Sequence, residues 1–179
     1  MDNQILLTIQ GTIQTCHTDR TNDLYCKYGF SYSGNWAPIQ GHRAGITQTS
    51  HKSGEEPAIF NFPFCASFKS SDPFGWPQII ISIFGNNVFG NDMVVGYGCT
   101  HIPTQTGKYT IQVPLYVPES PSFLQKIAQY FTGLTPEFID PVQPASGERR
   151  GDLITNSNGY ISLEVNVLLN DMEPLQFQN

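Results

Sequence analysis

The chain has 179 residues and a mass of 19.9 kDa, a length that suits one well-buried core and is short for two. Hydrophobic residues make up 39% and aromatics 12%, which excludes intrinsic disorder for most of its length, because this much apolar side chain can offset the entropy of ordering. Nine Lys plus Arg against fifteen Asp plus Glu give a formal charge of −6, so no bulk positive field exists to attract nucleic acid or anionic lipid. The longest strongly apolar run, 79–84, is far below the ~20 residues that span a bilayer, and the N-terminus carries no signal-like stretch. Four widely spaced cysteines and the lack of an Asn-x-Ser/Thr acceptor fit a reducing, cytosolic compartment.

In chain order, residues 4–14 place Ile5, Leu7, Ile9 and Ile13 on one parity and predict a half-buried strand, with Gly11 at the slot where a bulge or close approach would fall. After the Thr21-Asn22-Asp23 turn cluster, Leu24, Cys26, Tyr28, Phe30 and Tyr32 repeat the period of two and predict a second strand. Trp36-Ala37-Pro38 opens a loop to Gly45, and the Thr-rich stretch 46–53 suits an edge strand. Phe60, Phe62, Phe64, Ala66 and Phe68 alternate along 58–69, where Pro63 predicts a bend and an edge position. Residues 78–84 are apolar on both faces, as a central strand is. Strands over 93–102, 108–117 and 159–169 complete eight.

A single stretch has helical period. Ser120 caps it, Pro121 sits in its first turn, and Phe123, Leu124, Ile127, Ala128, Tyr130 and Phe131 form an apolar stripe ending near Gly133. Residues 135–158, rich in Pro, Gly and Asn, read as a long loop. Eight strands and one short helix in the last crossover have to share one core, and an antiparallel β-sandwich does this with the fewest assumptions.

No enzymatic constellation emerges. Cys99 and His101 stand two apart on a strand without the further ligands that zinc requires, and Gly96-Tyr97-Gly98 lacks the third glycine and strand-to-helix context of a nucleotide loop. No serine forms a nucleophile elbow, and His17, His42, His51 and His101 have no patterned carboxylate partners. No cofactor is expected.

In an antiparallel meander successive connections fall at alternate ends. One end would gather Asp19, Asp23, Glu55, Glu56 and the 86–92 turn with Asp92, oxygen ligands of the kind calcium takes, although acidic residues at loop tips more often only solvate them. The other end would present Asp72-Pro73-Phe74-Gly75-Trp76-Pro77. Exposed, Phe74 and Trp76 would form a docking patch for protein or membrane; buried, they would cap the mouth of the core.

Several strings together resemble the B9-domain family: Asp23-Leu24-Tyr25-Cys26-Lys27-Tyr28, Trp36-Ala37-Pro38, Gly75-Trp76-Pro77-Gln78-Ile79, Val88-Phe89-Gly90-Asn91-Asp92, Gly96-Tyr97-Gly98, Val117-Pro118-Glu119-Ser120 and Leu124-Gln125-Lys126. The resemblance runs in order from about Ile5 to Met172, while 15–22 and 142–158 match no family pattern. It implies a C2-like eight-stranded sandwich, one domain over 4–172 and a short tail over 173–179. It further implies a non-enzymatic scaffold subunit of the ciliary transition zone, in a Meckel-syndrome and tectonic module at the base of the cilium that gates the entry of membrane proteins. The partners implied are B9 domain-containing protein 2, the Meckel syndrome type 1 protein and tectonic-type membrane components.

Low charge is compatible with that role. Each Lys or Arg near a phosphatidylserine-rich leaflet contributes about 1 kcal/mol, and this chain has few, so membrane contact is expected to be peripheral at most. Edge strands and apolar loop tips are suitable material for docking a similar sandwich. The alternative is a calcium-dependent phospholipid-binding domain using the Asp23, Glu55 and Asp92 end, with Asp19, Asp23 and Asp92 as the candidate ligands.

Overall fold

The computed structural model describes residues 4–86, 91–118 and 155–172. They form ten antiparallel strands: β1 (Gln4–His17), β2 (Asp23–Ser31), β3 (Ala37–Gly41), β4 (Ala44–Ile46), β5 (Ser50–His51), β6 (Ala58–Ser70), β7 (Gln78–Asn86), β8 (Asp92–His101), β9 (Gly107–Pro118) and β10 (Thr155–Met172). Their order is β3-β6-β1-β10-β9-β8-β7-β2-β4, with β5 also on β2. The sheet curls into a half-barrel. Its weak point is between β8 and β9, joined by the single pair Tyr97 and Tyr116, so that β3-β6-β1-β10-β9 and β8-β7-β2-β4 become two facing layers.

The period-two residues meet between these layers. Leu7, Ile9 and Ile13 of β1, Phe64 and Phe68 of β6, Ile79, Ile81 and Ile83 of β7, and Ile161, Leu163, Val165 and Val167 of β10 are buried in one cluster. Across the gap, Phe30 meets Phe68 edge-on at 5.6 Å between centroids and Tyr28 lies 5.7 Å from Phe64, which fixes β2 opposite β6. Gly11 provides a close approach, as its position in the pattern suggested. A Cβ there would lie 2.4 Å from the Glu164 carbonyl oxygen and 2.5 Å from the Phe64 ring, so the glycine lets that ring lie over the β1 backbone. The bulge itself falls three residues later, at Gln14, where β1 slips against both neighbours and Cys16 takes over the inward parity.

Three sequence expectations change. Ten strands replace eight, because the 36–45 loop contains β3 and the start of β4, while the strand expected over 46–53 is interrupted between β4 and β5. Thr47 makes that break. Its amide donates to the Cys26 carbonyl and its Oγ1 accepts the Cys26 N–H, both at 2.9 Å, so a side chain replaces one rung of the ladder. The bend expected at Pro63 is displaced as well: Pro63 stays in register opposite Thr12, and the irregularity falls at Asn61, which has φ of +46°. Pro63 is tolerated because β3 pairs with β6 only over Ala66–Lys69, leaving the other side of β6 free of β3 at that point. The helix expected over 121–133, most of the 135–158 loop and the 173–179 tail lie outside the described residues.

All four cysteines are free thiols. Burial pushes the Cys16 thiol up from 9.0 to about 12, with the ammonium of buried Lys52 offsetting part of the effect. Burial, and then the neighbouring Cys16, drive Cys26 well above its ordinary value. Both thiols therefore stay protonated in the fold when the unfolded chain already ionises, and above pH 9 the unfolded state binds fewer protons. Stability is accordingly expected to hold up to about pH 9 and then to fall by about 1.4 kcal/mol per pH unit for each buried thiol, with Cys26→Ala flattening the decline by one thiol's share. Urea unfolding between pH 8 and pH 11 measures this; identical stability at pH 8 and pH 10.5 would refute it.

Candidate functional site

The direction of each strand sorts the connections. The 18–22 and 52–57 connections and the start of β8 lie at one end; 32–36, 71–77 and 102–106 lie at the other. The two ends differ sharply in charge. The connections of the first carry Asp19, Arg20, Lys52, Glu55 and Glu56, flanked on the strands by Asp23, His51 and Asp92, whereas the three connections of the second hold one charged residue, Asp72, flanked by Lys69, His101 and Lys108.

At the charged end a hollow of about 390 Å³ is walled by His17, Thr18, Asp19, Arg20, Glu55, Asn158, Gly159 and Tyr160. His17 stacks on Tyr160, with centroids 4.4 Å apart. The Arg20 Nε donates to Asn158 Oδ1 at 3.1 Å, and Asn158 Nδ2 donates to the Val95 carbonyl at 2.7 Å, tying β10 to β8. The acidic candidates are engaged separately. Asp23 pairs with His51 Nδ1 at 2.8 Å, and Asp92 accepts the Tyr25 hydroxyl at 3.1 Å; burial, reinforced by that bond, raises the Tyr25 pKa. Asp19 and Glu55 share the hollow with Arg20. Among the described residues no three His, Cys, Asp or Glu side chains gather as metal ligands would, and His101 instead bonds Gln78 at 2.8 Å.

At the neutral end the two aromatics predicted to dock part company. Trp76 is half-buried. Its Nε1 donates to the Ile102 carbonyl at 2.8 Å and its ring meets Trp36 edge-on at 5.0 Å. Trp36 itself is 4% exposed, so the mouth of the core is capped by the Trp36–Trp76 pair. Pattern reading missed this partner, since 40 residues separate the two tryptophans in the chain and only folding brings them together. Phe74, by contrast, is 76% exposed. Its loop is well built: Asp72 Oδ1 accepts the Phe74 N–H at 2.8 Å, Asn35 Nδ2 donates to Asp72 Oδ2, the Ser70 hydroxyl donates to the Asp72 carbonyl at 2.6 Å, and the Ser33 N–H donates to the Gly75 carbonyl at 3.1 Å.

The layer faces differ too. On the outer face of β2-β7-β8, Ile80, Ser82 and Tyr97 are buried already, and the Lys27 ammonium lies 4.6 Å from the centroid of the Phe84 ring, so the middle of this face offers little free apolar surface. On the outer face of the other layer, a groove of about 350 Å³ runs between Ile39, Ile5, Leu6 and Lys69. Neither sheet edge is an open template for a further strand. β4 and β5 have three residues and two, and β3 carries Pro38 and a register slip at Ile39. The His42 N–H bonds the Cys65 carbonyl, extending the β3–β6 pairing, and the Phe30 N–H bonds the Arg43 carbonyl, extending the β2–β4 pairing, so both edges stay paired up to the point where the chain at 42–43 passes from one layer to the other.

Comparison with known proteins gives this architecture a context. No helix among the described residues is long and apolar enough to cross a membrane. The chain is 43% identical over 174 residues to B9 domain-containing protein 1 of Xenopus laevis, covering 96% of this chain and 88% of that protein. It is 42% identical to the Homo sapiens protein of the same name, over 96% and 85%. B9 domain-containing protein 2 of Xenopus laevis is more distant, at 28% over 85% and 86%. Among solved structures, a C2 domain of plant Extended Synaptotagmin 1 aligns with 96% of this chain and 97% of its own at a TM-score of 0.40 and 13% identity. The family model "B9-C2: Ciliary basal body-associated, B9 protein" matches residues 7–168, nearly the whole span from β1 to β10, and the chain therefore belongs to the B9-domain family.

Proposed function

We propose that this protein is a non-enzymatic scaffold subunit at the ciliary base, acting in the transition zone within a Meckel-syndrome and tectonic-type assembly that gates the entry of membrane proteins into the cilium. The observation that carries this reading is the match of residues 7–168 to a family described as ciliary basal body-associated. Its single B9 domain spans 4–172. Its partners are B9 domain-containing protein 2, the Meckel syndrome type 1 protein and tectonic-type membrane components. At the charged-end hollow the histidine is stacked on a tyrosine and the arginine is tied to an asparagine, so both side chains are held in structural contacts. Because both sheet edges are blunted, docking uses side chains from loop tips and faces, not an added strand.

A calcium-dependent phospholipid reading has less support, since Asp23 and Asp92 are occupied by His51 and Tyr25 and Asp19 adjoins Arg20. One experiment separates the two. Purified chain mixed with B9 domain-containing protein 2 and the Meckel syndrome type 1 protein is expected to co-elute as one complex in size-exclusion chromatography with chelator present. A chain that elutes alone in chelator and binds phosphatidylserine vesicles only with calcium would reverse the assignment.

A further inference from the structure

Phe74 is the most exposed of the large hydrophobic residues described, ahead of Ile46, Ile59, Ile39 and Leu168. A single exposed apolar side chain is ordinary. What sets this one apart is its mounting. The backbone that carries Phe74 is held by the Asp72 carboxylate, the Ser70 hydroxyl and the bond from Ser33 to Gly75, and two residues on, Trp76 is fixed by its bond to the Ile102 carbonyl and its contact with Trp36. Gly34 adds close support, since a Cβ there would lie 3.3 Å from Phe74 Cδ1. A side chain displayed on a backbone already ordered loses less entropy when a partner closes over it.

The surroundings select the kind of partner. In the connections 32–36, 71–77 and 102–106 no Lys or Arg occurs, and the one charge, Asp72, already accepts hydrogen bonds from the Phe74 N–H and Asn35. A loop that inserts into an anionic leaflet combines an apolar tip with a cluster of basic neighbours, whereas the lysines at this end, Lys69 and Lys108, stand singly on the flanking strands β6 and β9 and not in the loops. An apolar pocket in a protein has no such need. Beside the tip, β3 starts with Ala37 opposite Lys69, one residue from Ser70, so the groove between Ile39 and Leu6 begins at the same end and extends the contact area toward the ~800 Å² per partner of a stable interface.

We propose that Phe74 is the anchor of an interface in which an apolar pocket on a sister B9-domain subunit closes over it, with the Ile39 groove beside it, while Trp76 holds the loop in place and makes no contact with the partner. This rests on the assembly reading given under Proposed function. The test measures binding of the full chain to purified B9 domain-containing protein 2 by isothermal titration calorimetry for wild type, Phe74→Ala and Trp76→Phe. Phe74→Ala is expected to weaken binding at least ~10-fold with unchanged melting temperature; Trp76→Phe is expected to lower the melting temperature yet bind within about threefold of wild type. Wild-type and Phe74→Ala affinities that agree would overturn the anchor and leave the assembly reading standing. A wild-type chain that binds no sister subunit would overturn both. Phosphatidylcholine vesicles, with and without phosphatidylserine, form the last arm: retention of wild type but not of Phe74→Ala would assign the tip to a membrane and refute the pocket.

Discussion

Phe68→Ala is expected to destabilise the domain by about 3–5 kcal/mol, because a fully buried ring is lost from a place that cannot collapse. Phe68 sits on β6 between Leu7 of β1 and Pro38 of β3, and its ring packs 5.6 Å from Phe30 and 5.0 Å from Tyr32. Those contacts come from both layers. Removing the ring opens a void where the half-barrel is held closed, and the backbone on either side is restrained by sheet hydrogen bonds. Domains of this size have about 5–15 kcal/mol in total, so the loss is a large fraction of the whole, and the melting temperature is expected to drop by roughly 10 °C or more. Phe74→Ala supplies the comparison: the same atoms are deleted from an exposed tip, and the change is expected to stay within about 0.5 kcal/mol. Chemical denaturation of the two variants decides the matter. A loss below about 1.5 kcal/mol for Phe68→Ala would mean that the layers are not held together as described.

The second large effect is expected at Gly41. Its φ is +88°, and a Cβ there would stand 2.2 Å from the Cys65 carbonyl oxygen and 2.8 Å from the Ala66 Cα, both backbone atoms that cannot swing aside. The backbone conformation alone costs a residue with a Cβ about 1–3 kcal/mol, and the collision adds to it. The position matters as much as the strain. Gly41 ends β3 immediately before His42 and Arg43, where the chain itself crosses from one layer to the other, His42 still bonded to Cys65 of β6 and Arg43 already bonded to Phe30 of β2. Gly41→Ala is therefore expected to loosen β3 from β6, to speed hydrogen exchange on the β3 side of Ala66–Lys69, and to increase aggregation as the β6 edge is uncovered. Gly54→Ala, with no atom within 4 Å of the added Cβ, is the control for loss of a loop glycine. Unchanged exchange over Ala66–Lys69 in Gly41→Ala would show that the β3–β6 pairing does not depend on this residue.

The chain belongs to a family described as ciliary basal body-associated, and its fold limits the ways in which such a domain can associate. Its edges are short or bulged, so strand addition is discouraged. What it offers instead is a neutral end with a mounted phenylalanine and an apolar groove beside it.

Much of this was legible in the residues themselves. Alternation in β1, β2, β6 and β10 predicted which side chains point inward, because a half-buried strand leaves an unambiguous period of two. The apolar run of β7 predicted a central strand, and Ile80 and Ser82 on its far face are indeed buried. The sorting of acidic and aromatic loops to opposite ends followed from chain direction alone. Other features were not legible. β3 is five residues long with little buried area, and the β4–β5 interruption depends on the Thr47 hydroxyl finding the Cys26 amide 21 positions earlier. Pro63 looked like the cause of a bend, yet the slip falls at Asn61, opposite the bulge in β1, because register between two strands is settled by both of them.

The candidate site divides in the same way. From the sequence alone came the all-β character, the parity of the core, the weakly charged composition and two aromatics together in one loop, since these depend on composition and on neighbours a few positions apart. Tertiary structure decided that Trp76 turns inward onto Trp36 while Phe74 is left in solvent, and that Asp23, Asp92 and Asp19 go to different neighbours. Those outcomes are contacts between residues tens of positions apart, and only the closed sheet determines which distant side chain arrives at each.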